Sequence, residues 1–404
     1  MSMKIIYEDR DLHSALAECD ILVAGAGLSG AVLAERMASQ AGKRVVVLDK
    51  RSHVAGNCFD RRDEHGILIH QYGPHIFHTN RPEVVSYLSQ FTDWLPYEHR
   101  VLAKIAEGLV PVPFNLNSID ACFPMLKAKR LASKLLEVYG DGQRVPIMAL
   151  RKAADPELAE LAEFIFQRVF LNYTIKQWGI EPGQLSESVL SRVPVVLSRD
   201  DRYFQDAFQK MPKEGYTRLV ERMLSHSNIQ VALNREIKNF IQLDRKEGKV
   251  QVDGKPFNGR IVYTGPLDEL FDFELGELSY RSLQFEFEHF KTGPFQPCGT
   301  VNYPNTEPFT RITEFRYLTG QLDVEGSTIV REYPQDYDRN DPLKNIPYYP
   351  VLNLETEARY LQYLELADRF KQLLVCGRLG DYRYFNMDDA VHRSLQRFNA
   401  AVEN

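Results

Sequence analysis

The sequence lacks any long apolar run: nowhere do about 18 consecutive apolar residues occur, so we expect no transmembrane helix. The first residues, MSMKIIYEDRDLHSALAE, have neither an apolar core nor a small-residue cleavage site, so we expect no signal peptide either. Cysteine is scarce, with five residues far apart and none in a C-x-x-C pair. We therefore expect no disulfide framework, no metal site and a cytoplasmic location.

An excess of positive charge is absent as well. Lysine and arginine number 49 against 55 aspartates and glutamates, which gives a formal net charge of −6. A nucleic-acid partner usually requires a basic surface, so we expect neither a nucleic-acid partner nor a membrane partner. Internal repeats and low-complexity segments are also missing, which excludes a solenoid or a disordered protein. The 404 residues suffice for two or three domains of about 150 residues each.

The start of the chain predicts a strand, a helix and a second strand in succession. Residues 21–24 and 44–48 are short apolar runs, which is typical of strands buried in a parallel sheet. Residues 28–39 have the composition of a helix between them. This β-α-β order predicts a doubly wound, Rossmann-like α/β domain.

A glycine-rich motif, G-A-G-L-S-G at Gly25–Gly30, joins the first strand to the helix. Such glycines allow a tight turn and a close approach of the backbone to a pyrophosphate, which the helix N-terminus then binds. Asp49 ends the second strand, 19 residues after Gly30, where a carboxylate can accept a hydrogen bond from a ribose hydroxyl. Together these features predict a dinucleotide site.

Two further segments favour FAD over NAD as the dinucleotide. Lys50 and the tight turn around Gly56 follow Asp49, as expected where the chain returns over a second phosphate or a flavin. Near the C-terminus, Gly377 and Gly380 mark a second glycine-rich strand end. The helix expected to start near Met387 has an N-terminus that can stabilise negative charge on a reduced flavin.

The rest of the chain predicts an interleaved arrangement of domains. Helical spacing dominates from Arg81 to about Trp178, and alternating aromatic and polar residues from 282 to 330 indicate antiparallel strands. We therefore divide the chain into a Rossmann-like FAD-binding domain, a helical substrate or lid domain, an antiparallel β-sheet domain and an N-terminal extension. Their predicted bounds are 19–80 with about 212–270 and 366–404 for the first, 81–180 for the second, 181–211 with 271–365 for the third, and 1–18 for the extension.

Seven short blocks make the chain resemble the bacterial UDP-galactopyranose mutase family. The most specific are Y-G-P-H-I-F-H-T at 72–79 and Y-T-I-K-Q-W-G at 173–179. The others are G-Y-T at 215–217, Y-T-G-P-L-D at 263–268, T-R-I-T-E at 310–314, P-Y-Y-P at 347–350 and G-R-L-G at 377–380. They follow the order of the family from about residue 19 to 395.

The resemblance implies an isomerase that interconverts UDP-galactopyranose and UDP-galactofuranose. In this family reduced FAD is the active form: its N5 attacks the anomeric carbon, UDP leaves, and the sugar recloses with no net redox change. The resemblance also implies a cytoplasmic homodimer whose product is used for cell-surface polysaccharide. The partner is then a nucleotide-diphosphate sugar.

The resemblance also assigns roles to individual residues. Arg192 and Arg311 would hold the diphosphate, and His75 would lie beside the flavin and respond to its redox state, whereas His78 is expected to be structural. The other expected substrate-binding residues are Tyr173, Trp178 (on a loop that closes over the substrate), Tyr203, Phe204, Tyr349, Tyr384, Glu332, His99, Asn302 and Asn386. The expected cofactor-binding residues are Gly25, Gly27, Leu28, Ser29, Gly30, Asp49, Lys50, Gly56, Asn57, His75, Ile76, Gly377, Arg378, Tyr384 and Met387.

Five positions depart from the usual pattern of the family. His99 stands where asparagine is usual, and Asn386 stands in place of an aspartate. Arg202, Asn172 and Ala55 replace an asparagine, a glycine and a glycine. Because a pocket built to pair one hydroxyl discriminates against other sugars, changes at His99 and Asn386 leave the sugar open.

Three alternatives to the leading interpretation follow. The enzyme could act on a related nucleotide sugar, such as UDP-N-acetylgalactosamine or dTDP-fucose. An FAD amine-oxidase-like oxidoreductase would share the glycine motif and the interleaved layout, but it would consume an electron acceptor. A third alternative is an FAD-binding protein with a regulatory or structural role, against which the arginines and tyrosines argue.

Overall fold

The computed structural model describes residues 2–179 and 194–402. Within these ranges, no helix combines the length and the apolar character needed to cross a lipid bilayer. The described helices are α1 Asp9–Glu18, α2 Leu28–Ser39, α3 Pro82–Leu88, α4 Leu116–Cys122, α5 Met125–Tyr139, α6 Ile147–Leu150, α7 Pro156–Ile165, α8 Leu171–Trp178, α9 Tyr216–Met223, α10 Leu267–Leu270, α11 Phe315–Leu318, α12 Leu354–Asp368 and α13 Met387–Val402.

The described strands form several sheets. In chain order they are β1 Ile21–Ala24, β2 Val45–Asp49, β3 Asp60–Arg62, β4 Leu68–His70, β5 Phe77–Thr79, β6 Trp94–Pro96, β7 Val101–Ile105, β8 Gly108–Val112, β9 Arg144–Pro146, β10 Pro194–Val196, β11 Phe208–Pro212, β12 Ile229–Leu233, β13 Ile241–Asp244, β14 Lys249–Val252, β15 Lys255–Pro256, β16 Arg260–Tyr263, β17 Tyr280–Phe290, β18 Thr300–Asn302, β19 Arg311–Glu314, β20 Ser327–Asp336, β21 Tyr349–Pro350 and β22 Leu373–Val375.

A five-stranded sheet with the strand order β12-β2-β1-β16-β22 forms the centre of the nucleotide-binding part. All four strand pairs are parallel. The sequences ILVA of β1 and VVVLD of β2 are buried at every residue, as expected for strands covered on both faces. The predicted strand at 21–24 and the predicted helix at 28–39 are confirmed, and the second strand begins one residue later than predicted. The Rossmann-like α/β class is confirmed.

Helices cover both faces of this sheet. On one face α2, α9 and α13 share a core in which Val32, Leu219 and Val391 are buried. The predicted C-terminal helix is confirmed as α13, and it packs against α2 although the two lie more than 340 residues apart. The chain therefore returns at its C-terminus to the domain with which it began.

The N-terminal segment, predicted as an extension over residues 1–18, packs against the core in the part of it that the structure describes. Ile6 donates its backbone N–H to the carbonyl oxygen of Val231 at 2.8 Å, next to the edge strand β12. The helix α1 then buries Leu12 and Leu16 against the second face of the sheet. The spacing of these leucines, i and i+4, is that of an amphipathic helix with one apolar face.

A seven-stranded sheet, ordered β21-β17-β20-β19-β18-β7-β8, forms the second layer. The antiparallel strands predicted between 282 and 330 belong to it. Two findings differ from the predicted bounds. The strands β7 and β8, which lie in the segment predicted as helical, extend this sheet. The strands β10 and β11, which were predicted to belong to it, pair outside it: β10 with β9, and β11 with β5 and β6. The division into domains otherwise stays a prediction.

The helices α4 to α8 all lie in the segment predicted as helical. Ala128, Leu131 and Leu135 of α5 are buried, which puts the apolar residues on one face. Asp155 accepts hydrogen bonds from the backbone N–H groups of Glu157 and Leu158 and so caps α7. A π-helical turn at Phe166–Phe170 leads from α7 into α8, which carries Tyr173.

Candidate active site

The first cavity lies at the carboxyl ends of the parallel strands. It has a volume of about 1220 Å³, including open solvent at its mouth. Of the predicted cofactor-binding residues, those that line it are Gly25, Gly27, Leu28, Ser29, Gly30, Asp49, Lys50, Gly56, Asn57, His75, Gly377, Arg378 and Met387. In open α/β sheets ligands bind outside the carboxyl ends of the strands, so this is the expected place for a dinucleotide.

The glycine motif has the geometry that its sequence predicts. Gly25 has φ +106°, and a Cβ atom there would collide with the hydroxyl oxygen of Thr264. A Cβ atom at Gly30 would collide with the carbonyl oxygen of Gly25, so both positions require glycine. At Gly27, the N-cap of α2, no side chain caps the helix and its first turn has no acidic residue. The N–H groups of that turn are therefore available to an anion.

Asp49 is held in place at the edge of the same cavity. One carboxylate oxygen accepts the backbone N–H of Ala26 at 2.7 Å, and the other accepts that of Arg51 at 2.8 Å. Each oxygen keeps a second lone pair, so the carboxylate can still accept a ribose hydroxyl. Lys50 forms an ion pair with Glu269 at 3.2 Å, and both lie at the exposed rim.

His75 lies where the first cavity meets a second one. Its Nδ1 is 2.8 Å from the carbonyl oxygen of Gly73, and because that oxygen only accepts, Nδ1 carries the proton. Burial lowers the pKa of the imidazole to about 3, and the nearby Arg378 acts in the same direction. The ring is therefore neutral near pH 7, and its Nε2 is an acceptor. His75, Arg378, Asn386 and Met387 line both cavities.

The second cavity, of about 950 Å³, contains most of the predicted substrate-binding residues. Those that line it are Tyr173, Tyr203, Phe204, Tyr349, Tyr384, Glu332, His99, Asn302 and Asn386, together with Arg311 and Ile76. They come from the segments before β5 and β7, from α8, from the loop after β10, from the strands β18 to β21, and from the segment before α13. Residues scattered over some 300 positions of the chain thus converge on one site.

Arg311 and Glu332 form the charged centre of the second cavity. Nε and Nη2 of Arg311 lie 2.8 Å and 2.7 Å from the same oxygen, Oε1 of Glu332. The other oxygen, Oε2, is buried and has no hydrogen-bond partner among the described residues. Burial lowers the pKa of Arg311, but the Glu332 carboxylate, together with the hydroxyl groups of Tyr173 and Tyr349, raises it by more, so the net pKa lies well above its ordinary value. The guanidinium is therefore a permanent cation that can bind phosphate oxygens.

His99 is buried on the wall of the second cavity. Its Nδ1 is 3.0 Å from the hydroxyl of Tyr97, and its Nε2 has no hydrogen-bond partner among the described residues. Burial, with a smaller contribution from the positive charge of Arg311, lowers the pKa of the imidazole to about 3. A neutral ring here offers one nitrogen to the cavity, whereas an asparagine offers an oxygen and an NH₂ group.

Aromatic rings form the rest of the wall. Tyr349 and Tyr384 stack with ring centres 5.2 Å apart, and the Arg378 guanidinium lies 5.8 Å from both. Phe204 stacks on His78 at 3.6 Å, and His78 binds Asp206 at 2.9 Å. Although His78 is expected to be structural, it also lines the cavity.

Three predicted residues lie elsewhere than expected. Trp178 ends the helix α8 instead of lying on a loop, and it lines neither cavity. Ile76 and Tyr384 line the second cavity and not the first, where their predicted contact with the cofactor had put them, although the second cavity agrees with the substrate contact also predicted for Tyr384. Arg192 lies outside the described residues.

Three further positions depart from the family pattern: Ala55, Arg202 and Asn172. Ala55 is in the left-handed region at φ +71°, where glycine is favoured, and its methyl group is fully buried. Arg202 forms an ion pair with Asp200 at 2.6 Å and lines neither cavity. Asn172 is exposed on α8, and nothing in the structure explains the change.

Sequence reasoning missed several lining residues. In the first cavity these include Thr264 after β16 and Arg235 after β12. The sequence could have indicated both residues, because residues that follow parallel strands meet at the same edge of the sheet, where the dinucleotide motif also lies. In the second cavity Leu283 and Thr300 carried no signal, because their contribution depends on how distant strands pair, whereas Tyr348 lies in the P-Y-Y-P block at 347–350.

A family model described as UDP-galactopyranose mutase matches residues 168–384, and a model of an NAD(P)-binding Rossmann-like domain matches residues 23–91. A relative from Klebsiella pneumoniae named as a probable UDP-galactopyranose mutase is 37% identical over 390 residues, which cover 95% of this chain and 96% of the relative. The dTDP-fucopyranose mutase of Escherichia coli is 32% identical over 386 residues, covering 95% and 98%.

Solved structures share the fold at lower identity. A crystal structure of reduced UDP-galactopyranose mutase matches with a TM-score of 0.67 at 16% identity, covering 95% of this chain and 94% of that one. A putrescine oxidase matches with a TM-score of 0.59 at 13% identity, covering 96% and 99%. At such identities these matches speak to the fold alone.

Proposed function

Since this chain belongs to the UDP-galactopyranose mutase family, we propose that it is an isomerase that interconverts UDP-galactopyranose and UDP-galactofuranose. One observation carries the proposal. The cavity at the dinucleotide motif meets, at His75, a second cavity that holds a half-buried arginine and a wall of tyrosines. A cofactor in the first and a nucleotide sugar in the second would meet at this junction.

The residues of the first cavity fit FAD. The uncapped N-terminus of α2 suits a pyrophosphate, and the fixed Asp49 carboxylate suits a ribose. Gly377, at φ +99°, leaves room for a second close approach at the end of β22. When bound in its reduced form, FAD would supply a nucleophile for the anomeric carbon through its N5 atom, with no net transfer of electrons.

Arg311 would bind the diphosphate and stabilise the charge that grows on UDP as it leaves. A guanidinium fork matches phosphate oxygens, and its stabilisation is greatest in a site that excludes water. Glu332 would orient Arg311, because both of its contacts with the guanidinium fix the direction of the fork. We propose Arg192 as a second diphosphate ligand on the resemblance alone.

The aromatic residues would bind the uridine and the diphosphate. Tyr173 and Phe204 offer flat apolar surfaces to the uracil, and the hydroxyl groups of Tyr203, Tyr349 and Tyr384 offer donors to phosphate oxygens. The neutral His75 would offer its Nε2 as an acceptor where the two cavities meet. Each of these roles is a proposal about a residue that lines the site.

The same site supports a second candidate function, the mutase reaction on a related nucleotide sugar. The observation that favours it is His99. Its one ring nitrogen without a hydrogen-bond partner stands where the usual asparagine would offer both an amide oxygen and an NH₂ group. Asn302 and Asn386 would complete the contacts with sugar hydroxyls. The relative from Escherichia coli named as a dTDP-fucopyranose mutase makes dTDP-fucose a natural test substrate, and UDP-N-acetylgalactosamine is the other.

A chromatographic assay tests the proposal. Purified FAD-loaded protein is incubated with UDP-galactofuranose, with and without dithionite, and then with dTDP-fucofuranose and with UDP-N-acetylgalactosamine in its furanose form. We expect conversion of UDP-galactofuranose to UDP-galactopyranose only under reduction. Conversion of another sugar alone would favour the second candidate. No conversion of any sugar by reduced, flavin-loaded protein would contradict both, and a screen for oxidase activity would follow.

We further propose, from the family resemblance, a cytoplasmic homodimer that supplies a precursor of cell-surface polysaccharide. Sedimentation of the purified protein at several concentrations measures the oligomeric state. A species of twice the chain mass, 46.6 kDa, is the expected result.

A further inference from the structure

Lys176 contacts three backbone carbonyl groups at once. Its Nζ donates to the carbonyl oxygens of Glu307 at 2.9 Å, of Phe309 at 3.1 Å and of Tyr303. A lysine ammonium has three N–H donors, so all of them are used. None of the roles proposed above involves this residue.

The three carbonyl groups belong to one loop of the second cavity. Residues 303–310 connect β18 to β19, and the two residues at the ends of these strands, Asn302 and Arg311, are paired and both line the cavity. Lys176 itself lies on α8, three residues after Tyr173, which lines the same cavity. One ammonium group therefore joins the wall that carries Tyr173 to the wall that carries Arg311.

The loop depends on a cation at this point. Three carbonyl oxygens directed at one position repel each other electrostatically, and a positive charge between them reverses the sign of that interaction. Lys176 is half-buried: burial lowers its pKa to about 8, and the carboxylate of Glu307 acts in the opposite direction. The side chain is thus still charged at pH 7. A side chain without N–H groups at this position would leave the three carbonyl oxygens without this donor, which favours a different loop conformation.

We infer that Lys176 is a positioning residue for the nucleotide diphosphate: it holds the loop 303–310, and through it Arg311, at the distance from Tyr173 that UDP requires. The inference rests on the proposed function, because it assumes that UDP lies between Tyr173 and Arg311. It adds a residue to the site that touches neither cavity surface itself. A merely structural tie would affect the stability of α8 but not the affinity for UDP.

The experiment measures UDP binding by calorimetry in the FAD-loaded, full-length protein. Lys176→Met removes the charge and keeps the length of the side chain. We expect the dissociation constant of UDP to rise at least tenfold, about 1.4 kcal/mol, with the absorbance spectrum of the bound flavin unchanged. KM for the nucleotide sugar should rise by a similar factor and more than kcat falls. Lys129→Met, at an exposed position of α5, is the matched control and should bind UDP as the wild type does.

Rescue separates positioning from a general loss of structure. Lys176→Cys, alkylated with 2-bromoethylamine, regains an ammonium group at nearly the length of lysine, and we expect UDP affinity to return to within about threefold of the wild type. Wild-type protein treated in the same way controls for the five native cysteines. Lys176→Arg keeps the charge, but its planar donors cannot meet three converging carbonyls, so we expect an intermediate affinity.

The outcomes distinguish this inference from the proposed function. Wild-type protein that binds no UDP would contradict the proposed function and the inference together. Wild-type binding with unchanged affinity in Lys176→Met would overturn the inference alone. If Lys176→Met does not fold, the inference is tested instead with Lys176→Arg and with Lys176→Cys before and after alkylation. Equal affinity in all three states would then overturn the inference.

Discussion

The proposed chemistry can be tested most directly at Arg311, which forms an ion pair with Glu332. Arg311→Ala removes the cation that would stabilise the departing UDP, and we expect turnover to fall by at least about 100-fold, in the range seen for the loss of one charge-stabilising donor. FAD should stay bound, because Arg311 lines only the second cavity. Steady-state kinetics together with the flavin absorbance spectrum measure both.

Arg331 offers a matched control for this prediction. It lies beside Glu332 on β20, faces away from the cavity and forms an ion pair with Glu288 at 2.6 Å. Arg331→Ala should keep activity within about threefold of the wild type, because ion pairs near the surface contribute little. Equal losses in the two variants, or retained activity in Arg311→Ala, would contradict the role given to Arg311.

His99 is the residue at which we expect sugar preference to be set. His99→Asn replaces one free ring nitrogen by an amide, which changes the pattern of donors and acceptors but not the charge. We expect the ratio of kcat/KM for UDP-galactofuranose to that for dTDP-fucofuranose to change by at least tenfold, about 1.4 kcal/mol. An unchanged ratio in both His99→Asn and Asn386→Asp would mean that these departures do not affect specificity.

Buried histidines also predict how stability depends on pH. Burial lowers the pKa of His70, His75 and His99 from 6.5 to about 3. As the pH falls below 6.5, the unfolded chain takes up protons that the folded chain does not, so the free energy of unfolding decreases. The loss approaches about 1.4 kcal/mol per histidine for each pH unit well below 6.5.

Urea unfolding at several pH values between 7 and 4 measures this effect. In His99→Asn one of the three groups is gone, so the free energy of unfolding should decrease less steeply with falling pH than in the wild type. The difference between the two proteins isolates His99 from the carboxylates, which titrate in both. Parallel curves for wild type and variant would contradict the assignment of a buried, neutral His99.

At the scale of elements, strands and helices with a strong local signal were predicted closely. The apolar runs of β1 and β2 and the glycine motif before α2 are confirmed to within one residue. Short strands such as β18 and β21, of three and two residues, carry no such signal, because their conformation depends on partners far away in the chain. These strands hold Asn302 and Tyr349, which only the resemblance to a family identified.

The helix α1 lies in the segment that the sequence interpretation set apart from the fold as an extension, and it packs on the core. Leu12 is 1% exposed and packs on the core behind the parallel sheet. We expect Leu12→Ala to reduce the free energy of unfolding by about 2–4 kcal/mol, as for other leucines in a core. Leu354→Ala, at a residue that is 89% exposed, should change it by less than about 0.5 kcal/mol. Similar small effects in both variants would contradict a contribution of α1 to the stability of the core.

At the scale of the whole molecule, the site arises from the interleaving of the chain. The strands of the parallel sheet come from segments spread between residues 21 and 375. Most residues that line the second cavity come from helices and strands that lie between these segments in the chain. The sequence predicted that the C-terminal helix rejoins the first domain, because a second glycine-rich strand end lies next to it. It could not predict that β7 and β8 would extend the large sheet, because that pairing depends on tertiary contacts alone.

The central claim is that this architecture catalyses an isomerisation in which electrons are needed but not consumed. The most direct measurement counts molecules of UDP-galactopyranose formed from UDP-galactofuranose per two-electron equivalent of dithionite consumed, without oxygen. We predict many product molecules for each equivalent, with the flavin still reduced at the end. One product molecule or fewer per equivalent, with oxidised flavin at the end, would contradict the claim and indicate an oxidoreductase.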